Sequence, residues 1–240
     1  MNIILSGYGR MGHEVETVAL ERGHTLVARL NDAEDWNGLN PSEIKNAVVI
    51  DFSLSESVLS VYGYCFQHQL PIVSGTTGWL EHWDEVISDC QKNKGTFFYA
   101  SNFSLGVNVF FHLNQQLAQI MGKLTNYQPS ISEVHHIHKL DAPSGTAITL
   151  ANQLIEQIPA IKKWTMESEY LAMELPITSF REGEVPGAHA VTYESNEDMI
   201  SIEHRAKNRK GFALGAVLAA EFAAGKSGIF SMKDMLKELI

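Results

Sequence analysis

The sequence is poor in cysteine, in cationic side chains and in long apolar runs, and each shortage removes a class of protein. Its 240 residues include two cysteines, Cys65 and Cys90, in neither a CxxC nor a metal-ligand spacing. Two thiols in a chain this long build no disulfide framework, which points to a reducing, cytoplasmic setting. Lys and Arg number 18 against 28 Asp and Glu, a net charge of −10. That balance argues against a general nucleic-acid binder. No apolar run reaches the roughly 18 residues that mark a membrane-spanning helix, so no membrane partner is expected. The start of the chain, Met1-Asn2-Ile3-Ile4-Leu5-Ser6-Gly7, carries no basic segment before its short apolar run. It reads as a first strand rather than a signal peptide.

What is present is globular. Apolar residues make up 45% and charged residues 19%, well away from a disordered composition. At about 100–200 residues per domain, the length allows one large domain or two small ones. Strands are predicted at Ile3–Leu5, Thr25–Leu30, Ala47–Phe52, Pro71–Val73 and Thr96–Ala100. Helices are predicted between them at Met11–Arg22, Ser57–Gln67 and Trp79–Lys92. Such alternation implies parallel βαβ units, which take ligands at the carboxyl ends of their strands. Around Phe103 the pattern changes to a long helix, Val107–Met121, a strand, Ile131–His136, and a second helix, Ala147–Gln157. Extended stretches follow at Ala172–Ile177, Ser179–Glu182, Gly187–Glu194 and Met199–His204, reading as a mixed or antiparallel sheet. An Ala-rich helix, Phe212–Ala224, precedes Gly225, and a short helix starts at Ser231. The expected fold is α/β: a Rossmann-like parallel-sheet nucleotide domain over 1–104, an inserted α/β domain with a mixed sheet over 105–208, and C-terminal helices over 209–240 that return to the first domain.

Gly7-Tyr8-Gly9-Arg10-Met11-Gly12 lies between a predicted strand and a predicted helix, the setting a dinucleotide fingerprint requires. Gly7 permits the tight turn, Gly9 lets the backbone approach a pyrophosphate, and Gly12 lets the helix pack on the strand. The helix N-terminus offers N–H groups and a positive dipole end. The acidic ribose ligand expected about 20 residues on falls at Asp32, or at Asn31, which can hydrogen-bond a 2′-hydroxyl without repelling a 2′-phosphate. NADH and NADPH both remain open as cofactor. Ser74-Gly75-Thr76-Thr77-Gly78 and Ala100-Ser101-Asn102-Phe103-Ser104 each follow a strand. The first suits a crevice or an ordinary turn; in the second, Phe103 is either a border to the nicotinamide or a core aromatic.

The richest chemistry lies in Glu133-Val134-His135-His136-Ile137-His138-Lys139-Leu140-Asp141-Ala142-Pro143-Ser144-Gly145-Thr146. Histidine titrates near neutrality and can donate a proton there, and lysine adds a fixed charge with three donors. Ser144-Gly145-Thr146 opens a helix whose N–H groups can hold a carboxylate. The set describes a site for a small dianion that must gain a proton. A zinc site is the competing reading of the clustered histidines, and a solvated loop the reading of any one alone. Zinc lacks a nearby Cys or HExxH spacing and would be repelled by Lys139, so no metal is expected. A basic run, His204 to Lys210, reads as a solvated face or, more sharply, as a patch that binds anions such as cofactor phosphates or substrate.

At this point the sequence resembles the dihydrodipicolinate reductase family. The resemblance rests on Gly7–Gly12 with its Gly-Arg-Met-Gly ending, on Gly75-Thr76-Thr77-Gly78, on 102–108 and on Glu133 through Thr146. Gly187-x-His189-x-Val191 and Arg209-x-x-Phe212-Ala213-x-Gly215-Ala216 extend it over almost the whole chain. It implies an NAD(P)H-dependent reduction of 4-hydroxy-tetrahydrodipicolinate to tetrahydrodipicolinate in lysine and diaminopimelate biosynthesis. It also implies a homotetramer built through the inserted domain's sheet. By the same resemblance His135 is the general acid and Lys139 a second proton donor, while His136, Ser144, Gly145 and Thr146 bind the dicarboxylate substrate. The glycine loop, Asn31, Asp32, Gly75, Thr76, Thr77, Ala100 to Phe103, Arg209 and Phe212 belong to the cofactor side. Two departures touch the coenzyme: the glycine loop is one residue shorter than the commoner pattern, and Asn31 stands where Glu is usual. Rival readings are another Rossmann oxidoreductase of a small acid, and an NAD(P)H-binding redox sensor, which would need no proton donor.

Overall fold

The structure is a computed structural model and describes residues 1–239, less the side chains at 33, 34, 41, 43 and 239. It divides into two compact units, Met1–Leu105 with Lys210 onward, and Gly106–Arg209.

In the first unit the described residues form β1 (Asn2–Ser6), α1 (Arg10–Glu21), β2 (Thr25–Leu30), α2 (Ala33–Asn37), α3 (Pro41–Ile44), β3 (Ala47–Asp51) and α4 (Val58–Gln67). They continue with β4 (Ile72–Ser74), a 3-10 turn (Leu80–His82), α5 (Trp83–Lys92) and β5 (Thr96–Tyr99). The second unit carries α6 (Leu105–Met121), β6 (Gln128–His135), α7 (Gly145–Gln157), β7 (Lys163–Thr165), β8 (Glu174–Arg181), β9 (Ala188–Glu194) and β10 (Met199–Arg205). The chain then returns to the first unit as α8 (Lys210–Ala223), β11 (Gly228–Phe230) and α9 (Met232–Leu239).

The first sheet runs β11-β5-β4-β3-β1-β2, every pairing parallel. Period-two alternation splits its strands between two cores, as expected of a sheet covered on both faces. Ile3, Leu5, Val48, Ile50, Val73 and Phe98 pack with α1 and α8, whereas Ile4, Val49, Ile72 and Phe97 pack with Trp36, α4 and α5. The alanines of α8 matter for their size. A Cβ on Gly215 would lie 1.7 Å from the Phe103 carbonyl oxygen, so this helix sits closer to the chain than any side chain would allow.

The second sheet runs β10-β9-β6-β8-β7 and is mixed: β6 is parallel to β8 and antiparallel to β9. Ile131, Leu175, Ile177, Val191 and Tyr193 face α6 and α7 in one apolar cluster. The two stretches predicted at 172–177 and 179–182 form the single strand β8, because pairing with β7 through Pro176 passes directly into pairing with β6 from Ile177 through Thr178. Strands β7 and β11 were not legible in the sequence. Each is three residues long and owes its extended form to one neighbour, β8 or β5.

Candidate active site

The first turn of the parallel sheet is built around its glycines. Gly7 has φ +80°, and a Cβ there would lie 2.3 Å from the Phe52 carbonyl oxygen. A Cβ on Gly12 would approach the Gly7 carbonyl oxygen to 2.7 Å, so neither position admits a side chain. Gly9 differs: nothing lies within 4 Å of a Cβ built on it, so it faces open space. It precedes α1 with no side chain capping the helix and no acidic residue in the first turn. Uncapped first-turn amides beside open space fit an anionic cofactor. The Asn31 Oδ1 accepts from Tyr8 N at 3.0 Å, tying the end of β2 to this loop, while the backbone N–H groups of Asn31 and Asp32 donate to Asp35. Arg29 is engaged by Glu16, which also accepts from the Tyr8 hydroxyl. Together they hold the Glu16 carboxyl down to about 2.

Beside this turn lies a buried charge whose role the sequence did not reveal. Asp51 ends β3, fully buried, and its carboxylate accepts from Ser6 Oγ, Ser74 Oγ and Thr76 Oγ1, each at 2.8 Å, and from Ser53 N at 3.3 Å. The carboxyl ends of β1, β3 and β4 are adjacent in the sheet, so one acceptor collects donors from all three. Thr76 is thereby committed to the fold: its hydroxyl goes to Asp51, its N–H to Ser74 Oγ, and its carbonyl accepts from Trp79 Nε1. Gly75 between them is half-buried beneath Phe52, whose ring would lie 2.2 Å from a Cβ, and Thr77 is exposed. Phe103 resolves as a core aromatic. It is 2% exposed and packs with Phe52 and Phe98, which matches the core-aromatic alternative of the two readings its sequence position allowed. Ala100 is buried, Ser101 exposed, and the Asn102 side chain accepts from Ser104 N. Arg10 is exposed and Met11 half-buried against the core. Arg209 is exposed in the segment between β10 and α8, and Phe212 is half-buried in the first turn of α8.

In the second unit the strand period places the chemistry. Glu133 and His135 follow Ile131 on the same face of β6, where the apolar core gives way to ionisable groups. Register sets Glu133 opposite His189 of β9 and Ser179 of β8, and His135 opposite Arg181. Glu133 is wholly buried. It accepts from Ser144 N at 3.0 and 3.2 Å, from the Ser144 hydroxyl, and from Ser179 Oγ at 2.7 Å. Burial would raise its pKa, but bonding from His189, Ser144 and Ser179 prevails and holds it at about 2. His135 Nδ1 lies 3.6 Å and His189 Nε2 3.4 Å from Glu133 Oε2. Burial pulls the His135 pKa down to about 4; Glu133 opposes the shift, while His189, Lys139 and Arg181 add to it.

Glu133, His135 and His189 bring three donor atoms within 4.8 Å of one another. Both Glu133 oxygens, however, already accept from Ser144 and Ser179, so Glu133 reads as the centre of a hydrogen-bond network, with His135 beside it, rather than as part of a ligand set. Ser144 is buried, and its N–H and hydroxyl both donate to Glu133. It caps α7, its Oγ accepting from Ala147 N, with Gly145 and Thr146 in the first turn of that helix. The intervening segment is pinned by Arg181, which donates to the carbonyls of Lys139 and Asp141 at 3.1 and 2.7 Å. Lys139 Nζ donates to both oxygens of Asp141, His138 pairs with Glu184, and His136 is half-buried.

A parallel sheet with a glycine turn and uncapped helix amides suited to a pyrophosphate, carried in one chain with a mixed-sheet unit holding a buried acid beside histidines, fits the two-domain class of nicotinamide-nucleotide oxidoreductases. The chain belongs to the dihydrodipicolinate reductase family: the family models for the N-terminus and C-terminus of that enzyme match residues 1–103 and 106–236. It is 52% identical, over 239 residues, to 4-hydroxy-tetrahydrodipicolinate reductase of Christiangramia forsetii, covering 100% of this chain and 99% of that one. Among solved structures, a dipicolinate-bound dihydrodipicolinate reductase from Paenisporosarcina sp. TG-14 shares the fold with TM-score 0.75 at 22% identity, covering 96% and 97% of the two chains. A myo-inositol dehydrogenase from Corynebacterium glutamicum shares it more distantly, at TM-score 0.54 and 13% identity over 100% and 93%.

Proposed function

We infer that this chain catalyses the NAD(P)H-dependent reduction of 4-hydroxy-tetrahydrodipicolinate to tetrahydrodipicolinate in lysine and diaminopimelate biosynthesis. What carries the reading for this chain is the joining of His135, through Glu133 and Ser144, to the first turn of α7, where an acid meets a carboxylate receptor. When bound, the nicotinamide supplies the hydride. The protein's own residues handle the rest. Water leaves from the 4-hydroxy carbon, and hydride addition to the conjugated ring then leaves an enamine-like carbon that needs one proton. His135 gives it, with Lys139 as a second donor near it. A resting His135 with pKa about 4 is neutral at pH 7. The two carboxylates of the substrate, received by His136 and the amides of Gly145 and Thr146, bring negative charge that favours the imidazolium where it is needed. The glycine loop, Asn31, Gly75, Thr77 and the backbone of Ala100 to Phe103 hold the coenzyme.

The reading includes a homotetramer built through the second sheet. In support, the face turned away from α6 and α7 carries Ser130, Ser132, Thr178, Ala190, Thr192 and Ser201, small side chains that let another sheet approach. Exposed Phe180 and Met199 lie on the same sheet. A cytoplasmic location accords with two buried free cysteines, and cell fractionation tests it.

The deciding assay follows NADH and NADPH oxidation with substrate made in place from pyruvate and aspartate semialdehyde by the preceding enzyme. Wild type should turn over, and His135→Ala should lose roughly 10²–10⁴-fold in kcat. The ratio of the two coenzyme rates decides the consequence of Asn31. Folded, nucleotide-binding protein without turnover on either coenzyme would overturn the reading and favour a redox sensor.

A further inference from the structure

Glu133 touches neither end of the proposed reaction, yet the hydrogen bonds around it fix the proton of Ser144 and one proton of His189. The Ser144 hydroxyl has one proton, and it goes to Glu133. Its Oγ can then only accept, and Ala147 N–H and His189 Nε2 both approach it, at 3.3 and 3.0 Å. His189 therefore carries a proton on Nε2. His135 turns Nδ1 toward the Glu133 carboxylate at 3.6 Å, just beyond hydrogen-bond reach, and among the described residues that atom has no hydrogen-bond partner. Its Nε2 lies beside Gly187, where a Cβ would come within 3.3 Å, so a glycine with φ +153° leaves that nitrogen uncovered.

We propose that Glu133 is a positioning residue for His135: its carboxylate, facing Nδ1, favours the Nδ1–H tautomer of the neutral ring, so that the proton the imidazolium gives up is the one on Nε2, and the Ser144–His189 bridge ties this carboxylate to the first turn of α7. The proposal rests on the reading of His135 as the acid. The charged and titratable groups around His135 are Glu133 on its own strand, Arg181 from β8, His189 from β9, and Lys139, itself paired with Asp141, from the segment before α7. Of these, Glu133 is the group that favours the imidazolium, and the three cationic or histidine neighbours oppose it. Coupling follows directly. A carboxylate received at α7 pulls on Ser144, and Ser144 holds the oxygen that faces His135.

The test uses the full chain and two readouts. In nitrogen-15 spectra of wild type without ligands, the His135 signal, assigned by its loss in His135→Gln, should show Nδ1–H; an Nε2–H signal overturns the proposal without any variant at Glu133. Glu133→Gln keeps the shape and removes the charge. Its kcat should fall by roughly 10²-fold with substrate KM little changed. The high-pH limb of kcat, where the acid form is lost, should move down by at least about one unit. A variant that is merely less heat-stable, with limb and tautomer unmoved, would show Glu133 to be structural only. Ser179→Ala, which removes one donor to Glu133 and leaves its charge, should keep the limb in place; a limb that moves equally in both variants refutes the charge argument. Wild type without turnover would sink the reductase reading, and the tautomer spectrum would still decide the placement of His135.

Discussion

Replacing Asp51 with Ala is the sharpest test of how the first unit holds its ligand edge. The substitution strips the acceptor from three hydroxyls and one backbone N–H in a closed site. Two hydroxyls keep a partner: Thr76 Oγ1 has the Ser53 carbonyl at 3.2 Å, and Ser74 Oγ has the Tyr62 hydroxyl at 2.6 Å. The Ser6 hydroxyl and the Ser53 N–H lose theirs. At about 1–3 kcal/mol for each orphaned buried group, Asp51→Ala should cost about 2–6 kcal/mol. Asp51→Asn keeps one acceptor oxygen and turns the other into a donor facing two hydroxyls, for about 1–2 kcal/mol. Urea unfolding followed by tryptophan fluorescence reads this unit well, because Trp79 is buried and its Nε1 donates to the Thr76 carbonyl. Since Ser74 and Thr76 flank Gly75, coenzyme KM should rise in the Asn variant while substrate KM holds. An Ala variant within about 0.5 kcal/mol of wild type would refute the reasoning, since that is the range of inert surface changes.

Acid should weaken the second unit in two stages. Between pH 6.5 and about 4 an unfolded chain protonates His135 while the folded one does not, so stability falls with pH across that window. A shift of this size is worth about 3 kcal/mol. Between pH 4.5 and about 2 Glu133 does the same, being a depressed carboxylate whose stabilisation is lost as it protonates. Unfolding by circular dichroism at stepped pH checks this, and His135→Gln should flatten the upper stage; an unchanged slope would contradict it. Sedimentation of the full chain should give a tetramer. A monomer at micromolar concentration would remove the argument from the outer face of the second sheet.

Local sequence was enough for the βαβ rhythm, the glycine turn and the run from Glu133 to Thr146. Each depends on neighbours within one turn or one strand, where periodicity and backbone sterics act directly. Gly7 and Gly12 are legible for that reason: a positive φ or a sub-van-der-Waals approach can be satisfied only by glycine. The structure decided what depends on register. Nothing local says that Glu133 faces His189, 56 positions on, or that Asp51 gathers hydroxyls from β1 and β4. Those partners are chosen by strand order and a two-residue side-chain period, and a one-residue slip would send every one of them to the other face. The same dependence explains Ser144 and Phe103. By residue type each suits a ligand, but tertiary packing gave the hydroxyl of one to Glu133 and the ring of the other to the core. The sequence by itself determined which chemistries the chain carries; only the tertiary structure decided which of those groups are spent holding the others in place, because a buried donor or acceptor must find a partner before it can serve a substrate.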